Sequence, residues 1–451
     1  MNLNIALPAP HIPRRVREVF YGWWLVGFSG IIMVLATVPL FHAMSVWAVA
    51  LERNFGWSRT QLSLALTFTR VEGGVMGPME GYLSDRIGTR RMVFIGLLVL
   101  AAGWLLFGQV RNLWMFYLAF VVMSLGQGLG GWVPLMTLLN HWFVRRRAMA
   151  MGLAMMGSGL GAMLLVPAIA WAIDPDQDRL GWRLTATIVA GAVIVAALAI
   201  PRFIRNRPQD YNLRPDGDPP PRVAAASAGR GAPPTTRSAA GQDETDLTIR
   251  QALRTPAFWL ISLGHGLGSM VILAIMTHLG LLIVKDLGYG VQTAAWVVAV
   301  YTGVGMVFQM VGGYVGDRIP KRVGLFVFTG IQGGAVVLLA LSSTLTGFFL
   351  FAILFGIGFG GRTPLTTAIR GEYFGRASFG KILGISTVPM NILLLIAGPL
   401  AGYMRDVQGT YKYAFLVLAG LNCIGAVLFL VAKKPTLGPA IPKSPVAESA
   451  G

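Results

Sequence analysis

Twelve predominantly apolar runs of about 20 residues alternate with short polar or charged junctions along most of the chain. The first six cover 23–50, 62–84, 92–110, 114–139, 148–173 and 182–201. The second six cover 258–284, 293–316, 323–343, 347–369, 382–404 and 413–432. Runs of this length are the right size to cross a hydrocarbon layer as helices, so the pattern predicts an all-α membrane protein with twelve spans. One long interruption, 202–254, breaks the rhythm. It contains Asp218, the prolines 219–221 and an Ala/Gly/Ser-rich run ending in Pro233 and Pro234. Such a composition cannot bury enough apolar surface to form a core, and it predicts a flexible cytoplasmic linker. The expected organisation is a six-helix half (1–201), the linker (202–254), a second six-helix half (255–434) and a disordered cytoplasmic tail (435–451).

The two halves repeat each other. Gly81-Tyr-Leu-Ser-Asp-Arg-Ile87 and Gly313-Tyr-Val-Gly-Asp-Arg-Ile319 agree at five of seven positions, with Gly313 placed 232 residues after Gly81. The first copy continues through Gly88 to Arg90 and Arg91, and a stretch so charged between two apolar runs predicts a tight aqueous turn that Gly88 makes at low cost. Gly128-Leu-Gly-Gly-Trp-Val-Pro-Leu135 resembles Gly358-Phe-Gly-Gly-Arg-Thr-Pro-Leu365, and Pro167 matches Pro399. Two similar six-span halves are the organisation of a secondary transporter.

Composition agrees with the pattern. Hydrophobic residues make up 55% of the chain and charged residues 12%, about half the 25% usual in soluble domains. The net charge of +18 does not point to nucleic acid, because the basic residues sit in clusters between apolar runs. Eighteen Lys and Arg fall before the first run, in the even-numbered junctions and in the tail, against eight in the odd-numbered junctions. That asymmetry predicts that both termini are cytoplasmic and that the protein lies in the plasma (inner) membrane. The only cysteine, Cys423, lies in the last run, so no intrachain disulfide can form. The first run is too long for the apolar region of a cleaved signal peptide and has no small-residue cleavage site after it. Metal-ligand spacings and nucleophile motifs are absent, so neither an enzyme nor a cofactor is expected.

The doubled Gly-x-x-x-Asp-Arg motif resembles the signature of the major facilitator superfamily. Tyr21-Gly-Trp-Trp24 and the stretch from His141 through Arg145, Arg146 and Arg147 to Gly152, followed by Gly157-Ser-Gly-Leu-Gly161, resemble the monocarboxylate-transporter branch and its bacterial oxalate–formate relatives. The resemblance implies a monomeric secondary transporter, with spans one, four, seven and ten around a central cavity. It implies a small organic anion as substrate, moved by alternating access together with protons. The alternative is export of lipophilic or aromatic compounds by proton antiport. The branch commonly carries an acidic–Arg pair in span eight and a Lys in span one or eleven. Here 296–316 has no charge, and Lys381 lies at the edge of span eleven.

Few charged residues fall inside the spans. Arg362 lies in span ten within Gly358, Gly360 and Gly361, read as a turn leaving room for a ligand, and Trp132 stands at the matching place in span four. A guanidinium can hold a carboxylate with two parallel hydrogen bonds, so Arg362 and Trp132 are the expected walls of an anion site. Arg70, Glu72 and Glu80 are read as a structural network, with Glu72 also a candidate proton carrier. His42 and His278, at matching places in spans one and seven, are expected to touch substrate or proton, since histidine titrates near neutral pH. Each could instead be a neutral packing residue. Gly81, Asp85, Arg86, Gly88, Arg90, Arg91, Asp317 and Arg318 are expected to bias the conformational switch.

Overall fold

The computed structural model describes residues 19–174, 179–218 and 246–435, and its regular structure is helical throughout. Eleven helices among the described residues are long and apolar enough to cross a membrane. They are α1 (Tyr21–His42), α3 (Thr89–Gly108), α4 (Leu113–Trp142), α5 (Arg147–Ile173), α6 (Gly181–Arg202), α7 (Pro256–Val284), α8 (Gln292–Gly316), α9 (Lys321–Leu341), α10 (Leu345–Phe374), α11 (Phe379–Gln408) and α12 (Lys412–Val431). The twelfth, α2 (Arg59–Ile87), is 29 residues long and carries Arg70, Glu72, Glu80, Asp85 and Arg86. Twelve long helices therefore correspond to the twelve apolar runs.

Local chemistry sets several starts. Ser58 and Gln61 form a reciprocal capping box at the head of α2. Asn112, Thr255 and Thr344 accept from the backbone N–H three residues on, at the heads of α4, α7 and α10. Each satisfies an amide that has no partner inside its helix.

The ends differ from the sequence reading in three ways. The turn expected over Gly81–Arg91 is a single residue: α2 continues to Ile87, Gly88 adopts φ +81°, and α3 begins at Thr89. Asp85 and Arg86 are thus on the last helical turn. Helix α10 runs past Ile369 to Phe374, which places Arg370 inside it, fully buried, rather than in a junction. Gly358, Gly360 and Gly361 form no turn either. They lie in continuous helix, where a Cβ would strike Gln332, Gly305 and Phe328, so they admit neighbouring helices rather than a ligand.

The chain divides into two compact units. The first contains the helices of the N-terminal half, except Gly74–Asp85 of α2, together with Met306–Arg318, which spans the end of α8 and the two residues after it. The second contains the helices of the C-terminal half, except Met306–Arg318, together with Gly74–Asp85. An aromatic lattice fills part of the first unit, with Trp47, Trp104, Phe107, Phe116 and Phe120 in tilted or edge-on contact. In the second unit the core is mainly aliphatic and phenylalanine, including Val271, Ile275, Val336, Phe351, Phe355 and Leu418.

Of the expected linker, 202–218 and 246–254 are described, and both stretches carry structure. The backbone carbonyl of Arg205 accepts from Trp142 Nε1 at 2.8 Å, and its guanidinium lies over the Tyr21 and Tyr211 rings. Leu247 N donates to Phe374 O at 3.0 Å. The N-terminal Arg14, Arg15 and Arg17 and the tail beyond 435 lie outside the described residues.

Candidate functional site

The clearest concentration of buried charge lies in the second unit, between α7, α9, α10 and α11. Arg362 projects from α10 and is 2% exposed. Gly268 on α7 makes room for it, since a Cβ there would lie 3.0 Å from the guanidinium carbon. Its Nε donates to Gln332 Oε1 on α9 at 2.7 Å, and Nη2 donates to Ser269 Oγ on α7 at 3.4 Å. Gln332 is held in turn, donating from Nε2 to Gly268 O at 3.0 Å. The remaining nitrogen, Nη1, is buried and has no hydrogen-bond partner among the described residues.

Arg370 follows eight residues later, about 12 Å along the same helix. Its Nε donates to Ser386 Oγ at 2.7 Å and its Nη1 to the Thr366 carbonyl. Its Nη2 lies 3.3 Å from His265 Nδ1 on α7. A guanidinium only donates, so Nδ1 must accept, and His265 is a neutral imidazole with its hydrogen on Nε2. Neither arginine has an ion pair among the described residues, so there two buried cations stand without a carboxylate.

Sequence reasoning found Arg362 and missed the rest of this cluster. Arg370 falls one residue past the tenth apolar run, whereas α10 continues to Phe374, and His265 lies in the seventh run nine residues into α7. The eight-residue spacing of two arginines, close to two helical turns, was the available signal.

The other expected residues lie elsewhere. Trp132, in the first unit, is half-buried and opens the second segment of α4, just after a break at Gly131. His42 ends a π-helical turn, Val38–His42, and is exposed. His278 is 8% exposed, with Nδ1 at 3.1 Å from Tyr411 Oη and Nε2 at 3.0 Å from Gly398 O. A carbonyl only accepts, so Nε2 donates to Gly398 and Nδ1 accepts from Tyr411. The two histidines therefore do not share an environment. Glu80 is buried, while the side chains of Arg70 and Glu72 lie outside the described residues.

The signature aspartates each hold a helix start. Asp85 Oδ1 and Oδ2 accept from Gly380 N and Lys381 N at the head of α11, both at 3.0 Å. Asp317 accepts from Ala148 N and Met149 N at the head of α5, both at 2.9 Å. A carboxylate on first-turn amides satisfies orphan donors and complements the positive end of the helix dipole. Glycine makes each approach possible: a Cβ on Gly81 would lie 2.1 Å from Gly380 O, and one on Gly313 would lie 2.6 Å from Ala148 O.

Solved structures share this architecture. The fucose:proton symporter FucP of E.coli aligns with a TM-score of 0.67 and 13% identity, over 92% of this chain and 98% of that one. A bacterial homologue of the iron transporter ferroportin, in an outward-facing state, aligns with a TM-score of 0.68 and 16% identity, over 91% and 99%. Among sequences, monocarboxylate transporter 13 of Bos taurus is 25% identical over 410 residues, 90% of this chain and 88% of the relative. Monocarboxylate transporter 11 of Mus musculus is 25% identical over 91% of this chain and 87% of its own length. Monocarboxylate transporter 2 of Mesocricetus auratus is 24% identical over 96% and 87%. The model of the Major Facilitator Superfamily matches residues 23–346 and 261–449. With twelve long helices, two repeated halves and a signature aspartate in each, the chain belongs to the Major Facilitator Superfamily and is a multi-pass membrane transporter, not an enzyme.

Proposed function

We propose that this transporter moves a small organic anion with a carboxylate head, of the monocarboxylate class, by alternating access and with proton coupling. The observation that carries the reading is Arg362 Nη1, a buried charged donor without a partner. An unpaired ion inside a low-dielectric protein costs several kcal/mol, and that cost falls when a counter-ion arrives. Arg370 adds a second positive charge, and among the described residues no carboxylate compensates either. A carboxylate reaching Arg362 Nη1 would take the missing hydrogen bond, with Ser269 Oγ beside it. A neutral lipophilic cargo would leave both guanidiniums uncompensated, so the chemistry favours an anion over the export alternative. The names of the monocarboxylate transporters above support the same class.

Trp132 is the candidate aromatic contact for the apolar body of the substrate. His42, His278 and Glu72 are the proton-carrier candidates. Protonating His278 uses the Nδ1 lone pair that now accepts from Tyr411, so proton uptake would reverse that hydrogen bond, with Nδ1 donating to Tyr411 Oη. Asp85 and Asp317, with Gly81, Arg86, Gly88, Arg90, Arg91 and Arg318 around them, act as latches that hold in one state and release in the other. The molecule works as a monomer in the plasma membrane with both termini inside.

Uptake of labelled lactate, pyruvate, oxalate and benzoate into proteoliposomes, with and without an imposed pH gradient, tests the reading. Accumulation of at least one carboxylate driven by the gradient is expected. His278→Gln, His42→Gln or Glu72→Gln should abolish that accumulation in the carrier residue while sparing substrate exchange. Transport of none of the four would refute the carboxylate class, and gradient-independent uptake would refute the coupling.

A further inference from the structure

The junctions before α5 and α11 are each held by two carboxylates. In the first unit, Asp216 Oδ2 accepts from Val144 N at 3.0 Å and Arg145 N at 2.8 Å, and Oδ1 accepts from Arg146 N at 3.3 Å. Asp317 then takes Ala148 N and Met149 N. In the second unit, Asp246 Oδ1 accepts from Arg376 N at 2.6 Å and Ala377 N at 3.0 Å. Asp85 then takes Gly380 N and Lys381 N.

Four of the five amides in the first unit have a counterpart in the second, Arg146 N being the exception. Val144 corresponds to Arg376, Arg145 to Ala377, Ala148 to Gly380 and Met149 to Lys381, each pair 232 residues apart. Asp85 and Asp317 keep the same spacing, as copies should. Asp216 and Asp246 do not: they are 30 residues apart, on the two sides of the single connection between the halves. Duplication cannot place them, so two unrelated segments have reached equivalent amides. Asp216 does so at φ +59°, a left-handed conformation unfavourable for a side-chain-bearing residue. An ion pair of Asp218 with Arg145 and the Leu247–Phe374 backbone bond add to the two clasps.

We propose that Asp216 and Asp246 are positioning residues for the alternation. Each fixes its junction so that the first-turn amides of α5 or α11 are presented to Asp317 or Asp85 in one geometry. A junction free to sample many geometries would lose conformational entropy every time the latch formed. The clasps therefore set the population of the latched state, and they act through the signature aspartates. The inference rests on the latch role given to Asp85 and Asp317 and is independent of which anion is carried.

Spin labels on Arg202→Cys and Arg254→Cys in a Cys423→Ser background, in full-length protein in lipid, would report the ratio of conformations by distance distribution. Asp317→Asn should shift the ratio, and Asp216→Ala should shift it at least threefold in the same direction. Asp216→Asn keeps one acceptor and tolerates the left-handed conformation, so its shift should be smaller. The double variant of Asp216 and Asp317 should shift no further than the larger single. Asp216→Ala combined with Asp85→Asn, in different units, should give the product of the two effects. Should Asp216→Ala fail to fold, the Asp246→Ala and Asp85→Asn pair makes the same test in the other unit. A shift with Asp317→Asn but none with Asp216→Ala, or a multiplicative Asp216/Asp317 double, overturns the clasp proposal alone. No shift with Asp317→Asn or Asp85→Asn removes the latch reading and the clasps with it.

Discussion

In the first unit, α4 carries Trp132 and, two turns on, Asn140; in the second, α10 carries Arg362 and Arg370 at the corresponding places, 230 residues later. Asn140 is fully buried, and neither atom of its amide has a partner among the described residues. The junctions that follow these helices are almost copies, down to the amides that Asp317 and Asp85 receive. Similar ends with dissimilar middles separate two jobs. On the proposed reading, the helix ends hold the parts that each cycle makes and breaks, one set in each unit. Of these two helices, only α10 carries charged residues in its length.

The largest effect is expected where the units differ most. Replacing Arg362 by Gln keeps a hydrogen-bonding side chain but removes the charge, and anion affinity should fall by about 100-fold or more, as for loss of one partner of a buried charged pair. Arg362→Lys keeps the charge without the planar fork and should cost on the order of 1–3 kcal/mol of binding. Equilibrium binding in detergent measures both. Wild-type affinity in Arg362→Lys would mean that charge alone matters.

Arg370 sharpens the same contrast. It makes its hydrogen bonds within the protein and acts on the site through its field. Arg370→Leu should weaken anion binding by roughly 10-fold, the equivalent of about 1.4 kcal/mol, while Arg362 remains in place. Unchanged binding together with lower thermal stability would reduce Arg370 to an anchor between α10 and α11.

The repeated parts should behave alike. Asp85→Asn and Asp317→Asn should each slow turnover by about 10-fold with substrate affinity within twofold, because the contact contributes to one state of the cycle. Rapid-filtration exchange against equilibrium binding separates the two quantities. A slow Asp85 variant beside a normal Asp317 variant would break the symmetry and assign the latch to one unit.

The histidines should differ from each other in stability. His278→Gln disturbs two hydrogen bonds in a buried place and should lower stability by about 1–2 kcal/mol. His42 is exposed, and His42→Gln should change stability by less than about 0.5 kcal/mol. Thermal unfolding in detergent ranks them.

Much of this architecture was legible before any coordinates. Twelve apolar runs gave twelve helices, and Gly88 turns the chain with the positive φ expected of it. Arg362 was visible because a lone arginine in an apolar run is expensive. What escaped depended on where helices end. Apolar periodicity fades at the last turn of α10, where Arg370 lies among residues with no sequence mark of burial. The glycines of α10 carried no sign of whether a ligand or another helix would fill the space beside them. His42 and His278 looked equivalent by spacing, but His42 ends the π turn Val38–His42 while His278 lies in regular helix ahead of the π turn Leu282–Asp286, so the two differ in register. Asp216 and Asp246 lie in a segment whose composition suggests only a tether, and nothing local shows that their carboxylates meet distant amides.

The measurement closest to the central claim is equilibrium binding of labelled lactate, pyruvate, oxalate and benzoate to wild type and Arg362→Gln, with the neutral amide of each acid as control. The account predicts that wild type binds at least one of the acids and not its amide, and that Arg362→Gln binds neither. An Arg362→Gln protein that holds the acid with wild-type affinity, or a wild type that holds acid and amide equally, would contradict it.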